Sequence, residues 1–406
     1  MNQRVKERIA AAVDRALPQL KALRDELHRH PEIGGEEAFA SSRLTEVLAE
    51  NGFQVSREYG GIPHAFRAAV SAPAPGPTVA LFAEYDALPE LGHACGHNLD
   101  LRRLGAALAL RAVLEELRGT VVVFGTPGEE NLCTKTTFAE RGLLDEADAA
   151  MMVHPNPVTC ASGRTRAVES LQVEFFDRSA HAGTGDQQGI NALDAAVACY
   201  QRIQTEKARC PDTNVHGILN DGGQKASVIP GYSSLKYLTR AWDMEGLRAL
   251  RVMVERCAAA AAAETGCIYR IHNNEATNRP MLTNERLSQV FNRYLLSFGE
   301  LEILRQDVTG STDMEDVSWR IPAIHPWVGL HCPEIPLHTE AFAEKTLSPE
   351  ADAFLSRCSG AMACTAAEIL TDAELLTRIQ MEFERSQEPW EVLTRAPNEP
   401  AIQLAL

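Results

Sequence analysis

Apolar and polar positions alternate along the first part of the chain in blocks that predict strands and helices in turn. Residues 78–86 (TVALFAEYD), 119–127 (GTVVVFGTP) and 147–155 (ADAAMMVHP) are apolar runs that predict buried strands. Between them lie the Ala- and Leu-rich residues 100–118 and the polar residues 134–144, which favour helices. This alternation predicts parallel β-α-β units, and therefore an α/β domain with a mainly parallel sheet flanked by helices.

Chemically reactive side chains follow each of the three predicted strands. Cys95 and His97 come after the first, Glu129 and Glu130 after the second, and His154 at the end of the third. Right-handed crossovers place successive parallel strand ends at one edge of the sheet, where open α/β sheets bind their ligands. We therefore expect these side chains to meet in one site.

The hydrophobic pattern changes near residue 166. Alternating strand-like segments there are joined to helical patterns over residues 194–203 and 244–264, which indicates an α+β domain with helices on one face of its sheet. We expect this smaller domain to span residues 166–276. It would interrupt a larger domain formed by residues 1–165 and 277–406.

Composition narrows the class of protein. The chain has 406 residues, 45% of them hydrophobic, and a formal net charge of −16, which disfavours nucleic acid and anionic membranes as partners. The first residues lack the apolar core of a signal peptide, and no apolar run is long enough to span a membrane. Ten cysteines over this length do not form a disulfide framework, so we expect a cytoplasmic protein with free thiols.

The stretch LGHACGHN at residues 91–98 joins a thiol and imidazoles in a Gly-rich loop. Thiolate, imidazole and carboxylate are the ligands of zinc and related metals, although a reduced cysteine beside surface histidines is the simpler alternative. Adjacent glutamates such as Glu129 and Glu130 can point apart, so that one binds metal while the other serves as a base. The combination predicts metal-assisted hydrolysis at a carbon that bears nitrogen or oxygen.

Several motifs together resemble a known family. HACGHN, TPGEE, MMVHP, SAHAG, GSTDMEDVSW and LHTEAF occur in the order typical of the amidohydrolase branch of the aminoacylase/carboxypeptidase metallopeptidases. That branch includes hippurate, indole-acetyl-amino-acid and aminobenzoyl-glutamate hydrolases. The resemblance extends from about Leu27 to Phe342. It implies that the larger domain is catalytic and that the inserted α+β domain mediates dimerisation.

The resemblance also implies a set of metal ligands. Cys95 would bridge two metals, Glu130 and His338 would complete the shell of one, and His97 and His154 that of the other. Glu129 would be the general base. The cofactor would be a divalent metal, one or two per subunit, with Zn, Mn, Co and Ni all possible.

Three residues of the inserted domain resemble substrate-contacting residues of the family. His181 would reach the active site of the partner subunit and stabilise the oxyanion, although a histidine in a turn is the alternative. His216 and Arg240 would hold a substrate carboxylate, but a strand-end salt bridge explains Arg240 equally well. At the end of the first strand, Glu84 or Asp86 could orient a ligand histidine.

The chain departs from the family pattern near the predicted site. A glycine run is replaced by residues 131–135 (NLCTK), Ser227 stands where Asn is usual, and residues 184–188 (TGDQQ) replace Pro-His-Glu-Gly. We expect the bulkier residues 131–135 to narrow the pocket.

Three cationic residues lie close in sequence to the proposed ligands. Arg102, Arg103 and Lys135 would suit an anionic substrate, or they are ordinary charges on helix surfaces.

Hydrolysis of the amide bond in a small N-acyl or aryl amino acid or dipeptide is the leading functional hypothesis. The alternative is hydrolytic deamination of an amino-substituted aromatic acid, of the nitroanthranilate type, at the same site. A third hypothesis, a non-catalytic metal-dependent binding module, is disfavoured by the intact Glu129. The expected partners are a small-molecule substrate and a second copy of the chain, with neither nucleic acid nor membrane.

Overall fold

The computed structural model describes residues 1–184, 189–274, 277–305, 307, 312–387 and 401–403. The helices are α1 Gln3–Arg29, α2 Ala38–Glu50, α3 Leu101–Ala112, α4 Thr134–Glu140, α5 Ala192–Glu206, α6 Met244–Thr265, α7 Glu285–Ser297, α8 Met314–Ser318, α9 Glu340–Lys345, α10 Pro349–Thr371 and α11 Ala373–Ser386. The strands are β1 Gln54–Arg57, β2 Phe66–Ser71, β3 Ala74–Ala83, β4 Arg118–Gly125, β5 Ala149–Met151, β6 His154–Asn156, β7 Ala167–Phe176, β8 Ala180–His181, β9 Asn214–Asp221, β10 Val228–Ile229, β11 Tyr232–Ala241, β12 Ile268–Asn273, β13 Ala323–Ile324, β14 Trp327–Gly329 and β15 Ala401–Gln403.

Contacts between residues separate the chain into two compact units. The first comprises Met1–Arg164, Met281–Asp307 and Thr312–Gln387, and Thr165–Pro280 forms most of the second. The second unit is therefore an insertion in the sequence of the first. That the first unit is catalytic and the second mediates dimerisation stays a prediction.

The first unit is built on a six-stranded sheet in the order β1-β2-β4-β3-β5-β13. Strands β4, β3, β5 and β13 run parallel, while β1 and β2 form an antiparallel margin. Both faces of the parallel part are covered, which explains why β3 and β4 are apolar at successive positions instead of alternating with polar residues. The predicted α/β class with a mainly parallel sheet is confirmed.

Two cores sandwich this sheet. Val79 and Leu81 of β3 pack into the core that also contains α1, α3, α7 and α10, whereas Ala80 and Phe82 face a smaller core with Phe138 of α4. Burial on both faces fixes the register of β3 and β4, since a shift by one residue would exchange the two faces. The strand ends that carry the candidate site are thus held by a rigid scaffold.

The second unit contains an antiparallel sheet in the order β15-β12-β7-β11-β9. Helices α5 and α6 pack on one face of this sheet against inward residues such as Val173, Phe175 and Leu235. Helix α6 is capped at its N-terminus by Asp243, whose side chain accepts a hydrogen bond from Gly246 N at 2.7 Å, and at its C-terminus by Gly266 with φ 81°.

None of the helices in the described part of the chain is long and apolar enough to cross a membrane.

Candidate metal centre

The candidate centre is formed where the parallel strands of the first unit end. Strand β3 is followed by the loop that carries Cys95 and His97, β4 by the loop with Glu129 and Glu130, and β5 by His154. Parallel strands end at the same edge of the sheet, so these three loops converge. The sharp turn between Cys95 and His97 uses Gly96 at φ 84°, where a Cβ atom would lie 3.0 Å from Pro155.

All five predicted metal ligands come together at this edge. The ligand atoms of Cys95, His97 and His154 lie within 4.8 Å of one another, and so do those of Cys95, Glu130 and His338. The two groups share the Cys95 thiol. A donor set of this kind fits two neighbouring divalent cations bridged by one thiolate.

Hydrogen bonds to the far side of each imidazole direct the ligand nitrogens inward. Nδ1 of His97 lies 2.9 Å from Oδ1 of Asp86 and can donate to it, and Nδ1 of His154 can donate to the carbonyl of Pro155 at 2.6 Å. Nε2 of each ring is then free to bind metal, and Nε2 of His154 lies 3.4 Å from Cys95 Sγ. Of the two candidate orienting residues, Asp86 makes the bond to His97 Nδ1.

Two buried ligand atoms lack hydrogen-bond partners among the described residues. They are Nε2 of His97 and Oε1 of Glu130. Buried polar atoms are costly when left unsatisfied, and coordination of a metal would satisfy both. Asp86 supports Glu130 as well, because its Oδ2 accepts a hydrogen bond from Glu130 N at 3.0 Å. The residues therefore fit a metal centre on grounds of geometry and of unsatisfied atoms.

The electrostatics of the protein alone disfavour the ionised forms that metal binding needs. Burial raises the pKa of the Cys95 thiol well above its ordinary value. Burial, reinforced by the carboxylates of Glu84 and Asp313, likewise raises the pKa of Glu129. A divalent cation at this centre would favour the thiolate and the carboxylate, so metal binding and proton release are coupled.

Glu129 belongs both to a group with proposed ligands and to a second group of carboxylates. Its carboxylate is within 4.8 Å of ligand atoms of His97 and Glu130, and also of carboxylate oxygens of Glu84 and Asp313. This proximity is compatible with the predicted roles of Glu129 as base and of Glu130 as metal ligand, and both roles stay predictions.

A residue that the sequence did not single out, Glu37, holds the glutamate loop in place. The Glu37 carboxylate is fully buried and accepts hydrogen bonds from Gly128 N at 2.6 Å and Gly35 N at 2.7 Å. Burial raises the pKa of Glu37 to about 7. Gly128 has φ 66°, a conformation that favours glycine. The family resemblance, which extends from about Leu27, includes Glu37, but no sequence pattern indicated this contact.

The expectation that three cations near the site suit an anionic substrate is wrong, and so is the alternative that they are ordinary charges on helix surfaces. The side chains of Arg102, Arg103 and Lys135 have no exposed area. Both arginines are paired with Asp100, and Lys135 with Glu84 and Asp313. Helix α3 is buried on almost every side, so charged residues on it must be neutralised internally.

The residues predicted to contact substrate lie in the second unit. His181 is exposed at the end of β8, and its Nδ1 accepts a hydrogen bond from Gly183 N at 3.0 Å. His216 on β9 is exposed and Arg240 on β11 is half-buried; the pairs Leu238–His216 and Arg240–Asn214 place both on the same face of the sheet. Their roles stay predictions. Residues 185–188 of the segment TGDQQ and residues 310–311 of the motif GSTDMEDVSW lie outside the described residues.

A parallel α/β sheet that carries a thiol, imidazoles and carboxylates at its carboxyl edge, with a further glutamate beside them, is typical of a metal-dependent hydrolase. Residues 80–357 match the model of peptidase family M20/M25/M40. The chain belongs to this family. The resemblance stated from the sequence motifs is thereby confirmed, and so is the conclusion that the protein is an enzyme of the hydrolase class.

Two curated relatives match the chain over nearly its whole length. The Xaa-Arg dipeptidase of Mus musculus is 34% identical over 97% of this chain and 95% of that protein. The Xaa-Arg dipeptidase of Homo sapiens is 34% identical over 93% of this chain and 92% of that protein. A crystal structure of the Bacillus subtilis YXEP protein, described as a dinuclear metal binding peptidase from the M20 family, superposes with a TM-score of 0.71. It covers 87% of this chain and 99% of its own at 20% identity, so it shows a shared fold.

Proposed function

We propose that this protein is a dipeptidase or aminoacylase-type amidohydrolase that cleaves the amide bond of a small dipeptide or N-acyl amino acid. The observation that carries this proposal is the position of Glu129 beside two ligand groups that share Cys95. Xaa-Arg dipeptides are the first substrates to test, because full-length relatives at 34% identity carry that name. The strongly acidic composition is compatible with a cationic substrate.

The chemistry is divided between the metal and the residues around it. A divalent metal supplies the positive charge that acidifies water and polarises the scissile carbonyl. Cys95, His97, His154, Glu130 and His338 hold it. Glu129 takes the proton of the attacking water and delivers it to the leaving nitrogen, which makes one residue base and then acid.

The second unit supplies substrate contacts in this proposal. His181 reaches the active site of the partner subunit in the proposed dimer and donates a hydrogen bond to the carbonyl oxygen as negative charge develops there. His216 and Arg240, on the same face of their sheet, bind the carboxylate of the substrate, where a guanidinium can form two parallel hydrogen bonds.

We assign two zinc ions per subunit as the resident metals. The shared thiol supports a pair of metals, and a donor set of sulfur, nitrogen and oxygen suits zinc. Manganese, cobalt and nickel are the alternatives that metal analysis of the purified protein would distinguish.

We also propose a homodimer formed through the second unit. Strand β9 lies at the edge of its sheet, and Ile218 and Leu219 on this strand are 53% and 45% exposed. An open edge with apolar side chains is a typical template for pairing with a second copy. Sedimentation velocity of the metal-loaded protein should give the mass of a dimer. The ten free thiols support a reducing compartment, for which we propose the cytoplasm.

The test is a substrate panel with two readouts. The metal-reconstituted enzyme is incubated with Xaa-Arg dipeptides, N-acyl amino acids, aminobenzoyl-glutamate and amino-substituted benzoates, and products are followed by mass spectrometry and by ammonia release. Free amino acid without ammonia, absent with Glu129→Gln, supports amide hydrolysis. Ammonia with a hydroxylated ring would instead establish the aromatic deaminase, which the relatives do not favour.

A further inference from the structure

A lysine is buried among the carboxylates next to the proposed general base. Nζ of Lys135 lies 2.9 Å from Oε2 of Glu84 and 2.6 Å from Oδ1 of Asp313. The three side chains are at most 1% exposed. Glu129 belongs to the same cluster, since its carboxylate lies within 4.8 Å of those of Glu84 and Asp313.

The backbone strengthens this arrangement. Lys135 N donates to the other oxygen of Asp313, Oδ2, at 2.9 Å, so one carboxylate binds both the main chain and the side chain of Lys135. Lys135 lies in the first turn of α4, which follows the loop of Glu129. The pairing therefore joins the glutamate loop to a segment that is 178 residues away in sequence.

The opposite side of the cluster reaches the metal ligands. Oε1 of Glu84 lies 3.4 Å from Nε2 of His97, and Glu84 N donates to Asp100 at 2.9 Å. One carboxylate oxygen of Glu84 thus contacts Lys135, and the other lies close to the proposed ligand His97. Three carboxylates that converge in a buried place repel one another unless a cation lies between them, and Lys135 is a cation fixed there by the fold.

We propose that Lys135 is a positioning residue for hydrolysis, whose ammonium fixes the carboxylates of Glu84 and Asp313 beside Glu129 and occupies the place that a further cation would otherwise take. The inference rests on the proposed function. Lys135 touches neither metal nor substrate and acts through the geometry of the carboxylates. Its role depends on charge, which separates it from a lysine that merely fills space.

The test is a charge-compensation series. Lys135→Met keeps the length of the side chain and removes its charge, and Lys135→Met/Asp313→Asn removes one positive and one negative charge together. We expect Lys135→Met to lower kcat of the metal-loaded enzyme about 100-fold, with KM for a dipeptide changed less than about threefold. The double variant should recover at least about tenfold of that loss. Lys21→Met, which removes a surface pair with Asp352, is the matched control and should keep full activity.

A second readout does not depend on activity. Melting of the metal-free proteins should show a Tm lowered by about 5–10 °C for Lys135→Met, with more than half of this loss restored in the double variant. Metal analysis of Lys135→Met after incubation with excess zinc should show an additional equivalent bound, because the carboxylate cluster then lacks its cation.

Two results would overturn the inference. The first is a kcat for Lys135→Met within about threefold of the wild-type value per metal-loaded molecule. The second is a double variant no better than the single one in both kcat and Tm. Failure of the proposed function gives a different result, namely a wild-type enzyme that cleaves no amide bond. In that case the melting temperatures of the variants alone decide whether Lys135 fixes the carboxylates.

Discussion

Asp86 should control the affinity of the metal centre although it is not a ligand in the proposed set. Its carboxylate is 1% exposed and uses both oxygens: Oδ1 for His97 Nδ1 at 2.9 Å and Oδ2 for Glu130 N at 3.0 Å. One side chain therefore sets the orientation of ligands from two different loops. Asp86→Asn has the same shape but offers only one acceptor oxygen, so one of the two donors must face an amide NH₂ group.

The expected magnitude follows from these two bonds. Loss of a residue that orients a metal ligand typically costs 10–100-fold in affinity, which corresponds to about 1.4–2.7 kcal/mol. A buried donor left without a partner costs about 1–3 kcal/mol in the stability of the metal-free protein. We therefore expect Asp86→Asn to bind zinc about 10–100-fold more weakly and to unfold at lower denaturant concentration.

Competition with a chromophoric chelator measures the zinc affinity directly, and urea unfolding of the metal-free protein measures stability. Asp145→Asn is the matched control, because Asp145 forms an exposed pair with Arg320 and belongs to none of the ligand groups. Zinc affinities of Asp86→Asn and wild type that agree within about twofold would refute the reasoning, since the orienting bonds would then carry no energy.

Two further outcomes are expected. Burial raises the pKa of Glu37 from 4.5 to about 7, so between these pH values the folded state binds a proton that the unfolded state releases. The stability that Glu37 contributes is therefore complete below pH 4.5 and is lost as the pH rises towards 7. In urea unfolding of the metal-free proteins, the free energy of unfolding of Glu37→Gln should consequently fall by about 2–3 kcal/mol less over that pH range than that of wild type. Parallel pH profiles of the two free energies would contradict this. Removal of metal by a chelator should abolish activity and lower Tm. Zinc at 100 times its Kd should restore about 2.7 kcal/mol of stability, which calorimetry can measure. An unchanged Tm would argue against a metal bound by Cys95 in the folded state.

The general position of the site could be predicted from the sequence because parallel strands end at the same edge of a sheet, and the reactive side chains lie at strand ends. Cys95, Glu130 and His154 follow three apolar runs, and the structure places all three at one edge. The proposed ligand His338, far along the chain, could be predicted only from the family motif. No local pattern links it to the other ligands, although the fold brings its Nε2 to within 3.8 Å of Glu130.

The buried charges could not be predicted, for a physical reason. Charged residues are almost never fully buried unless they are paired, and the partners decide the matter. Asp313, the partner of Lys135, is 178 residues away, and no sequence pattern connects them. The same holds for Glu37, whose acceptor role depends on Gly128 in a loop 91 residues away. Long-range polar contacts of this kind become visible only in the folded structure.

The most direct test of the proposed chemistry is the fate of oxygen from water. An Xaa-Arg dipeptide is incubated with zinc-loaded enzyme in isotopically labelled water, and the products are resolved by mass spectrometry. We predict one labelled oxygen per turnover in the new carboxylate, free arginine without label or ammonia, and no turnover with Glu129→Gln although it binds zinc. Full turnover by Glu129→Gln, or a released Xaa whose carboxylate carries no label, would contradict amide hydrolysis by a Glu129-assisted metal centre.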